Sequence, residues 1–193
     1  TTHFSIVDSE GNAVSNTYTL GYSFGSGVTI PGTGILMNNQ MNNFAYRYGD
    51  KKERGRGAST GNRFEPGKNP MSTMAPTMIF NKEGELILVT GSPGGSLIPA
   101  AILRVITGII DFDLDIGQAT MLPRVHKDWP KTGILYERTV NSDVVRIINK
   151  RIGHKMTPEH TMGSTQSIHI INGVNYGYAD LRRPGASVSS QEN

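Results

Sequence analysis

The chain has 193 residues and a formal net charge of +3, with 23 glycines and no cysteine. Its length is enough for one domain with a core of its own, so we predict a single domain over residues 1–193. The lack of cysteine excludes disulfides and thiolate ligands. No basic stripe alternates with aromatic residues, and the longest apolar run, Leu97 to Ile110, is too short to span a membrane. We therefore expect no nucleic-acid partner and no membrane span in this chain.

Metal and phosphate chemistry find no support in the motifs. The five histidines show no metal-ligand spacing, and none stands in a zinc-protease pattern. The glycine-rich stretch over residues 21–34 lacks the Gly-Lys-Ser/Thr ending of a phosphate-binding loop. We expect no metal site and no cofactor.

The sequence begins with Thr1-Thr2-His3 and has no initiator methionine. An N-terminal threonine combines a nucleophile with a base, because its α-amino group can take the hydroxyl proton directly or through a water. A free α-amino group titrates near ~7.7–8.0, so a useful fraction is neutral at neutral to mildly alkaline pH. Most N-termini are nevertheless frayed and inert, so the position alone does not establish catalysis.

Alternating residues predict a β-hairpin with strands over residues 2–7 and 13–20, joined by turn-forming residues. The end of a paired strand is a rigid place for a reacting group. In an antiparallel pair, the far end of the second strand lies beside the start of the first. Thr19 could therefore touch Thr1.

Two polar stretches follow this hairpin. Residues 38–43 are mostly amides, which favour turns and side-chain bonds to the backbone. Residues 45–69 are polar and glycine-rich, with an excess of positive charge and no periodic pattern. A stretch of that length in a compact domain is a lid, a binding loop or disorder. We predict a lid or active-site loop, whose charge would suit an acidic substrate.

A second, more apolar hairpin is predicted over residues 77–81 and 86–90, and a helix over about 96–110. The segment Gly91-Ser92-Pro93-Gly94-Gly95-Ser96 lies between them. A double-glycine turn before a helix N-terminus exposes backbone N–H groups that suit an oxyanion. A plain strand-to-helix turn would use glycine as well, so both interpretations stay open at this point.

The remaining predicted elements are a short helical turn, a strand, a helix and a last hairpin. They cover residues 116–121, 134–139, 141–152, and 165–171 with 174–180. The tail over residues 184–193 is polar and predicted to be loose. This order of elements indicates an α+β fold with antiparallel sheets and helices packed on one side.

Several sequence blocks, in a fixed order over residues 1–183, resemble the small subunit of γ-glutamyltranspeptidases. The blocks include Thr1-Thr2-His3-Phe4-Ser5, Thr17-Tyr18-Thr19-Leu20, Gly34-Ile35-Leu36-Met37-Asn38-Asn39-Gln40-Met41, Gly91-Ser92-Pro93-Gly94-Gly95-Ser96 and Met162-Gly163-Ser164-Thr165-Gln166-Ser167. The resemblance implies an αββα sandwich of the N-terminal-nucleophile hydrolase type. It also implies a precursor that cleaves itself before Thr1, an obligate heterodimer with a large subunit from that precursor, and a periplasmic or secreted location. A start at Thr1 is what such cleavage would leave.

The resemblance gives four residues catalytic roles. Thr1 would attack the γ-glutamyl carbonyl, and Thr19 would hydrogen-bond the nucleophile. The backbone groups of Gly94 and Gly95 would form the oxyanion hole. The acyl-enzyme would then release its γ-glutamyl group to water or to an amino acid or peptide acceptor. All four residues are present, which argues against a catalytically silent protein.

Five further residues stand at the family's substrate-binding positions, three of which match and two of which depart from its pattern. Ser72 and Thr73 match a hydroxyl pair for the substrate α-carboxylate, and Gln40 matches one residue of the α-amino pocket. The family usually has Asp at the position of Asn43, and it commonly has Asn where this chain has Gly21. Charged hydrogen bonds are worth about 1.5–3 kcal/mol, against roughly 1 kcal/mol for neutral ones. We therefore predict weaker γ-glutamyl binding, or a donor without a free α-amino group.

The predicted function is γ-glutamyl transfer and hydrolysis on glutathione-like γ-glutamyl amides. Two alternatives with the same fold avoid a terminal α-ammonium group: an acylase for glutaryl-type side chains, similar to a cephalosporin acylase, and a poly-γ-glutamate hydrolase. A third alternative is an inactive homologue that only binds its ligand. These possibilities stay open in the sequence.

Overall fold

A computed structural model describes residues 1–45, 60–128 and 133–190 of the chain. Residues 46–59 of the predicted lid and residues 191–193 of the predicted loose tail lie outside these ranges. The lid and the loose tail therefore stay predictions.

The chain divides into two compact units. The first unit is Thr1 with Tyr18–Thr73, and the second is Thr2–Thr17 with Met74–Asn193. Most of the regular structure belongs to the second unit. The single domain over residues 1–193 stays a prediction.

The described residues form nine strands and three α-helices. The strands are β1 (Thr2–Val7), β2 (Ala13–Tyr18), β3 (Thr77–Phe80), β4 (Leu86–Thr90), β5 (Val125–His126), β6 (Ile134–Glu137), β7 (Met156–Glu159), β8 (Gln166–Ile171) and β9 (Val174–Ala179). The helices are α1 (Ile98–Ile110), α2 (Ile116–Met121) and α3 (Ser142–Ile147). The three predicted hairpins are present, and the α+β class is confirmed.

The largest sheet has the strand order β3-β4-β8-β9, and all its pairs are antiparallel. Its last hairpin turns at Asn172 and Gly173, whose φ angles are 51° and 76°. An Asn-Gly pair adopts two such left-handed conformations at little cost, which is why this dipeptide predicts a tight turn. Strands β1 and β2 form a separate two-stranded sheet.

The prediction of antiparallel sheets is wrong for one pair in the third sheet, β5-β6-β7. Strands β6 and β7 are parallel, and Ile134 pairs with Met156. Parallel neighbours need a crossover connection, which α3 and a following π-helical turn over Ile148–Ile152 provide. The helix predicted over residues 141–152 thus ends as an α-helix at Ile147. Strand β7 has no apolar alternation and contains Pro158, so its sequence carries no strand signal.

The four-stranded sheet is covered on both faces within the second unit. On one face, α1 and α2 join Leu88 of β4 in a core cluster of Leu88, Val105, Ile109, Ile116 and Ala119. On the other face lies the β1–β2 hairpin, because a side chain at Gly91, three positions after Leu88, would run into the ring of His3. Hairpin, sheet and helices are therefore successive layers.

The hairpin turns its polar face toward the sheet. His3 is only 4% exposed, whereas Phe4 and Ile6 on the opposite face are 40% and 51% exposed. Ser5 Oγ donates to the Gln166 carbonyl at 2.8 Å, and Ser15 Oγ donates to the Thr90 carbonyl at 3.0 Å. Directional hydrogen bonds thus help to hold the hairpin to this sheet.

The first unit has little regular structure in its described part. It contains two 3-10 turns, over Gln40–Asn43 and Thr60–Asn62. Its buried residues are Phe44 and Ala45, and the ring of Phe44 meets that of Phe64 edge-on at a centroid distance of 5.4 Å. Its described part is further connected by backbone hydrogen bonds, such as Met37 N–H to the Val28 carbonyl at 2.8 Å, and by bonds between side chains and backbone.

Candidate active site

The two threonines that were predicted to act together are in contact. Thr1 Oγ1 donates a hydrogen bond to Thr19 Oγ1 at 3.0 Å. The same oxygen of Thr19 accepts the backbone N–H of Gly21 at 2.9 Å. Both threonines are half-buried. The two bonds fix the Thr19 hydroxyl, and they give the O–H bond of Thr1 a defined direction.

Gly21 acts through its backbone. Its φ of 93° is a conformation that residues with a side chain rarely adopt. A Cβ atom at this position would also collide with the side chain of Asn39. That side chain is held in place, because Asn39 Oδ1 accepts the N–H of Tyr22 at 3.0 Å. The space for a polar side chain at Gly21 is therefore occupied by Asn39.

Gln40 and Asn43 continue the network from Thr19. Gln40 Nε2 donates to the Thr19 carbonyl at 3.3 Å, and Asn43 Nδ2 donates to Gln40 Oε1 at 2.7 Å. The 3-10 turn aligns residues three positions apart, so it brings these two side chains together. Thr19 is thus bound at both its hydroxyl and its carbonyl, and the amides that support it are neutral.

Asn62 connects this network to the segment that contains Ser72 and Thr73. Asn62 Nδ2 donates to the Asn43 carbonyl at 2.7 Å, and Asn62 Oδ1 accepts the N–H of Met71 at 3.0 Å. Ser72 is exposed and Thr73 is half-buried. The structure therefore brings Thr1, Thr19 and the amides into one hydrogen-bonded chain that reaches the residue before Ser72.

Gly94 and Gly95 lie in the second unit, at the turn after β4. Their φ angles are 139° and 59°, a succession of positive values that requires glycine. The helix predicted over about 96–110 is present, and its first turn is of a different type. A 3-10 turn over Gly95–Leu97 comes first, and the α-helix begins at Ile98. Gly94 is exposed while Pro93 before it is buried, so the backbone emerges at the surface here.

Four charged residues form a buried ionic network in the second unit. Arg124 pairs with Asp180 at 2.7 Å, and Arg182 pairs with Glu137 at 2.7 Å. Burial acts to raise the pKa of Asp180, yet the charge of Arg124 and bonds from backbone N–H groups hold that pKa below its usual value. The pKa of Glu137 is likewise lowered against the effect of burial, chiefly by its bond from Arg182. We refer to Arg124, Glu137, Asp180 and Arg182 as the buried quartet.

His3 is neutral in this environment, because burial lowers its pKa from 6.5 to about 4. Its hydrogen bonds also fix its tautomer. Ser5 uses its proton to bond the Gln166 carbonyl at 2.8 Å, so its oxygen accepts from His3 Nε2 at 3.1 Å. His3 Nδ1 is then the acceptor for the Thr17 hydroxyl at 2.7 Å. His3 therefore joins the two strands of the hairpin as an uncharged group.

Metal and membrane features can be assessed for residues 1–45, 60–128 and 133–190. Within these ranges, no cluster of three His, Asp or Glu side chains has the arrangement of a metal site. No helix there has both the length and the apolar character needed to cross a bilayer.

Sequence reasoning missed three contributors to these arrangements. Asn62 lies in the stretch that was assigned to a lid, where no residue received a role. Ser92 was interpreted only as part of a turn. The buried quartet has no local pattern, because its members are distant in sequence: Arg124 and Asp180 are 56 positions apart.

Comparison with known proteins supports a single family. The family model described as Gamma-glutamyltranspeptidase matches residues 1–190. The "Glutathione hydrolase proenzyme" of Escherichia coli (strain K12) is 40% identical over 183 residues, which is 94% of this chain and 31% of that relative. This chain therefore spans about a third of the length of that curated relative.

Solved structures show the same fold. The γ-glutamyltranspeptidase of Pseudomonas nitroreducens, complexed with L-DON, has a TM-score of 0.86 and 36% identity, over 99% of this chain and 100% of that chain. The cephalosporin acylase from Bacillus halodurans has a TM-score of 0.83 and 28% identity, over 98% of this chain and 34% of that chain. The fold is thus the predicted α+β fold of the N-terminal-nucleophile hydrolases. Within that class, the chain belongs to the γ-glutamyltranspeptidase family.

Proposed function

We propose that this chain is the small subunit of a γ-glutamyl transferase and hydrolase, and that Thr1 forms the γ-glutamyl acyl-enzyme. The observation that carries the proposal is the hydrogen bond from Thr1 Oγ1 to Thr19 Oγ1 at 3.0 Å, in a chain of this family. A nucleophile whose O–H bond is oriented by a fixed neighbour, with an amine on the same residue as base, suits acyl transfer.

In the proposed mechanism, the Thr1 hydroxyl releases its hydrogen bond to Thr19 Oγ1 as the Thr1 oxygen attacks the γ-glutamyl carbonyl, and the Thr1 α-amino group takes the hydroxyl proton directly or through a water. The tetrahedral oxyanion is stabilised by the N–H groups of Gly94 and Gly95, the role that the family resemblance gives them. The intermediate collapses when the leaving amine receives that proton, which leaves an ester on Thr1. Water or an amino acid or peptide amine then attacks the ester, and the Thr1 hydroxyl is restored.

The donor is proposed to be held at both ends of its glutamyl part. Ser72 and Thr73 bind the α-carboxylate, and the amide oxygens of Gln40 and Asn43 face the α-ammonium group. Asn43 Nδ2 is already engaged with Gln40 Oε1, so the Asn43 oxygen is the atom left for the ligand. Because that oxygen is uncharged, glutathione-like donors are expected to bind more weakly than they would to a carboxylate.

A second candidate function is hydrolysis of glutaryl-type side chains, or of poly-γ-glutamate, by the same Thr1 mechanism. These donors present no terminal α-ammonium group, so an uncharged Asn43 carries no penalty for them. The likeness to the cephalosporin acylase from Bacillus halodurans supports including this candidate.

The deciding experiment uses the full precursor, expressed and allowed to process. The protein is exposed briefly to a γ-glutamyl amide and, separately, to a glutaryl amide, and intact mass with peptide mapping is recorded. We expect a γ-glutamyl adduct on the Thr1 peptide and none in the Thr1→Ala variant. A glutaryl adduct alone would establish the acylase function. The absence of any adduct, together with no turnover in steady-state assays, would leave only a binding function.

The partner and the location are part of the same proposal. A large subunit from the same precursor completes the enzyme, and cleavage before Thr1 separates the two. The Thr1→Ala precursor is therefore expected to stay a single chain on a denaturing gel, and a split variant would contradict Thr1 as the processing nucleophile. A periplasmic or secreted location is expected, and fractionation of the source cells with an antibody to this chain tests it.

A further inference from the structure

We propose that Ser92 is a positioning residue for the oxyanion-binding turn, and that its buried hydroxyl sets the direction of the Gly94 N–H. This inference rests on the proposed function, because it concerns the turn that we assign to the oxyanion. Ser92 is fully buried and makes two hydrogen bonds. Both of these hydrogen bonds are to backbone groups.

The first contact acts on the peptide that carries the proposed donor. Ser92 Oγ donates to the Pro93 carbonyl at 2.6 Å. That carbonyl and the N–H of Gly94 belong to one planar peptide group, and in a trans peptide they point in opposite directions. A bond that holds the Pro93 oxygen inward therefore holds the Gly94 N–H outward. The exposure of the two residues agrees with this orientation of the peptide, since Pro93 is buried and Gly94 is exposed.

Such a restraint is needed at this position. Gly94 has a φ of 139° and Gly95 a φ of 59°, so the backbone that follows the Pro93–Gly94 peptide consists of the residue type with the widest conformational freedom. Rotation of the Pro93–Gly94 peptide would turn its N–H away from a bound oxyanion without any change in the side chains of the site. An oxyanion hole works because its donors are oriented before the reaction begins.

The second contact connects Ser92 to a supporting segment, Met162–Thr165. Ser92 Oγ accepts the N–H of Ser164 at 2.9 Å. Gly163 in that segment lies directly against the turn: a Cβ at Gly94 would be 3.1 Å from Gly163 Cα. A Cβ at Gly163 would in turn be 2.6 Å from Ser92 Oγ. The two backbones are therefore packed together, and Ser92 is the group that bonds them.

The buried quartet fixes the other side of this segment. Arg124 Nη1 donates to the Met162 carbonyl at 2.7 Å, and Glu137 Oε1 accepts the Met162 N–H at 2.9 Å. Asp180 Oδ2 accepts the Thr165 N–H at 2.9 Å. Because charge-assisted bonds are stronger than neutral ones, the quartet holds the supporting segment in a fixed position. The hydrogen bonds of Ser92 connect that segment to the Pro93–Gly94 peptide and restrain the peptide's orientation.

The test compares three variants of the full precursor with the wild-type protein. Ser92→Ala removes the donor, and Ser92→Cys keeps nearly the same volume but offers only a weak S–H donor. Ser167→Ala is the matched control: it also removes a buried serine hydroxyl, whose partner is Thr90 Oγ1 at 2.7 Å. Turnover is measured per mole of chain with Thr1 free at its N-terminus, so that incomplete processing does not enter the rate.

We expect Ser92→Ala to lower kcat roughly 10-fold or more, below the ~10²–10³-fold loss that follows removal of an oxyanion donor. KM for the donor should change little, and Ser92→Cys should lie in between. The affinity for a tetrahedral boronate or phosphonate analogue should fall in parallel with kcat, while inhibition by the product glutamate should stay the same. Ser167→Ala should have a similar thermal midpoint to Ser92→Ala but nearly wild-type kcat.

Two results would overturn the inference without touching the proposed function. One is an active wild-type enzyme whose Ser92→Ala and Ser167→Ala variants have equal kcat. The other is a Ser92→Ala variant that loses kcat and glutamate affinity together, which indicates general damage to the site. A wild-type protein with no Thr1 adduct would instead contradict the proposed function itself, and the positioning role would fall with it.

Discussion

The threonine cluster of the first unit and the glycine turn of the second differ in the kind of interaction that holds them. Thr1, Thr19, Gln40 and Asn43 are connected by neutral hydrogen bonds between half-buried groups. The segment behind the turn of Gly94 is fixed by the buried quartet, in which Arg124 is 1% exposed and Asp180 is fully buried. A side chain of the threonine cluster can be replaced at a modest cost in stability, whereas a side chain of the buried quartet cannot.

This difference indicates that the residues around Thr1 and Thr19, and not the buried quartet, can be exchanged to suit a different substrate. A neutral, half-buried bond contributes about 1 kcal/mol, so replacing one amide by another changes affinity without unfolding the protein. Removing one partner of a buried ion pair leaves a charge without compensation, which costs several kcal/mol. We therefore expect Gln40 and Asn43 to determine which donor is preferred. We expect the buried quartet to determine whether the turn at Gly94 and Gly95 keeps its conformation. Four predictions test this contrast.

The largest effect is expected for Arg124→Met, which leaves Asp180 buried without its main partner. The free energy of unfolding of the two-subunit protein should fall by about 3–5 kcal/mol, measured by urea denaturation. Arg146→Met is the matched control, because the pair of Arg146 and Asp143 is 63% and 71% exposed. It should cost no more than about 0.5 kcal/mol. Equal losses in the two variants would remove the contrast between the regions.

Thr19→Val should come next. It keeps the shape of the side chain but removes the oxygen that accepts from Thr1 and from Gly21. We expect kcat for acyl transfer to fall roughly 10- to 100-fold, or about 1.4–2.7 kcal/mol, with little change in the thermal midpoint. Thr33→Val, at an exposed threonine that bonds the Ile30 carbonyl, serves as control. A Thr19→Val variant with normal kcat would mean that the Thr1–Thr19 bond does not orient the nucleophile.

Asn43→Asp should have a smaller effect, and of the opposite sign. The carboxylate would add charge to the contact with a substrate ammonium, so KM for a γ-glutamyl donor should fall by about 3- to 10-fold, given the difference between charged and neutral bonds. KM for a glutaryl amide should not fall, because that donor has no ammonium group. A KM that is unchanged for both donors would show that residue 43 does not face the α-amino group.

The last prediction concerns pH. His3 has a pKa of about 4 when folded and 6.5 as its ordinary value, so unfolding takes up one proton between those pH values. Stability from this group is therefore complete above pH 6.5 and falls as the pH drops toward 4. His3→Gln should reduce the slope of the unfolding free energy against pH by up to the equivalent of one proton between pH 4 and 6.5. Identical slopes in the wild-type protein and in His3→Gln would contradict a buried neutral His3.

Local patterns predicted the elements well where a turn or a period was decisive. The hairpin at Asn172-Gly173 and the approach of Thr19 to Thr1 both follow from local patterns and pairing geometry. The apolar face of the first hairpin is exposed in this chain, since Phe4 and Ile6 alternate as predicted but point away from the sheet. Period alone cannot tell which face is covered.

Local sequence patterns did not predict the contacts between residues that are far apart in the sequence. Strand β7 pairs in parallel with β6 through a crossover, and its own residues, Met156–Glu159, have no strand signal. The quartet unites residues from α2–β5, β6 and the segment after β9, which only the folded backbone brings together. The role of Ser92 likewise depends on a bond to residue 164, 72 positions further along.

The contact between the backbones of Gly94 and Gly163 limits how far this turn can be moved to another protein. A Cβ at either glycine would press on the other segment, and both residues have positive φ angles. A designer who grafted only Gly91–Gly95 onto a new scaffold would transplant the sequence of the proposed oxyanion-binding turn without the segment that packs against it. The smallest portable unit therefore has two pieces, Gly91–Gly95 and Met162–Thr165, and evolution is expected to have changed them together.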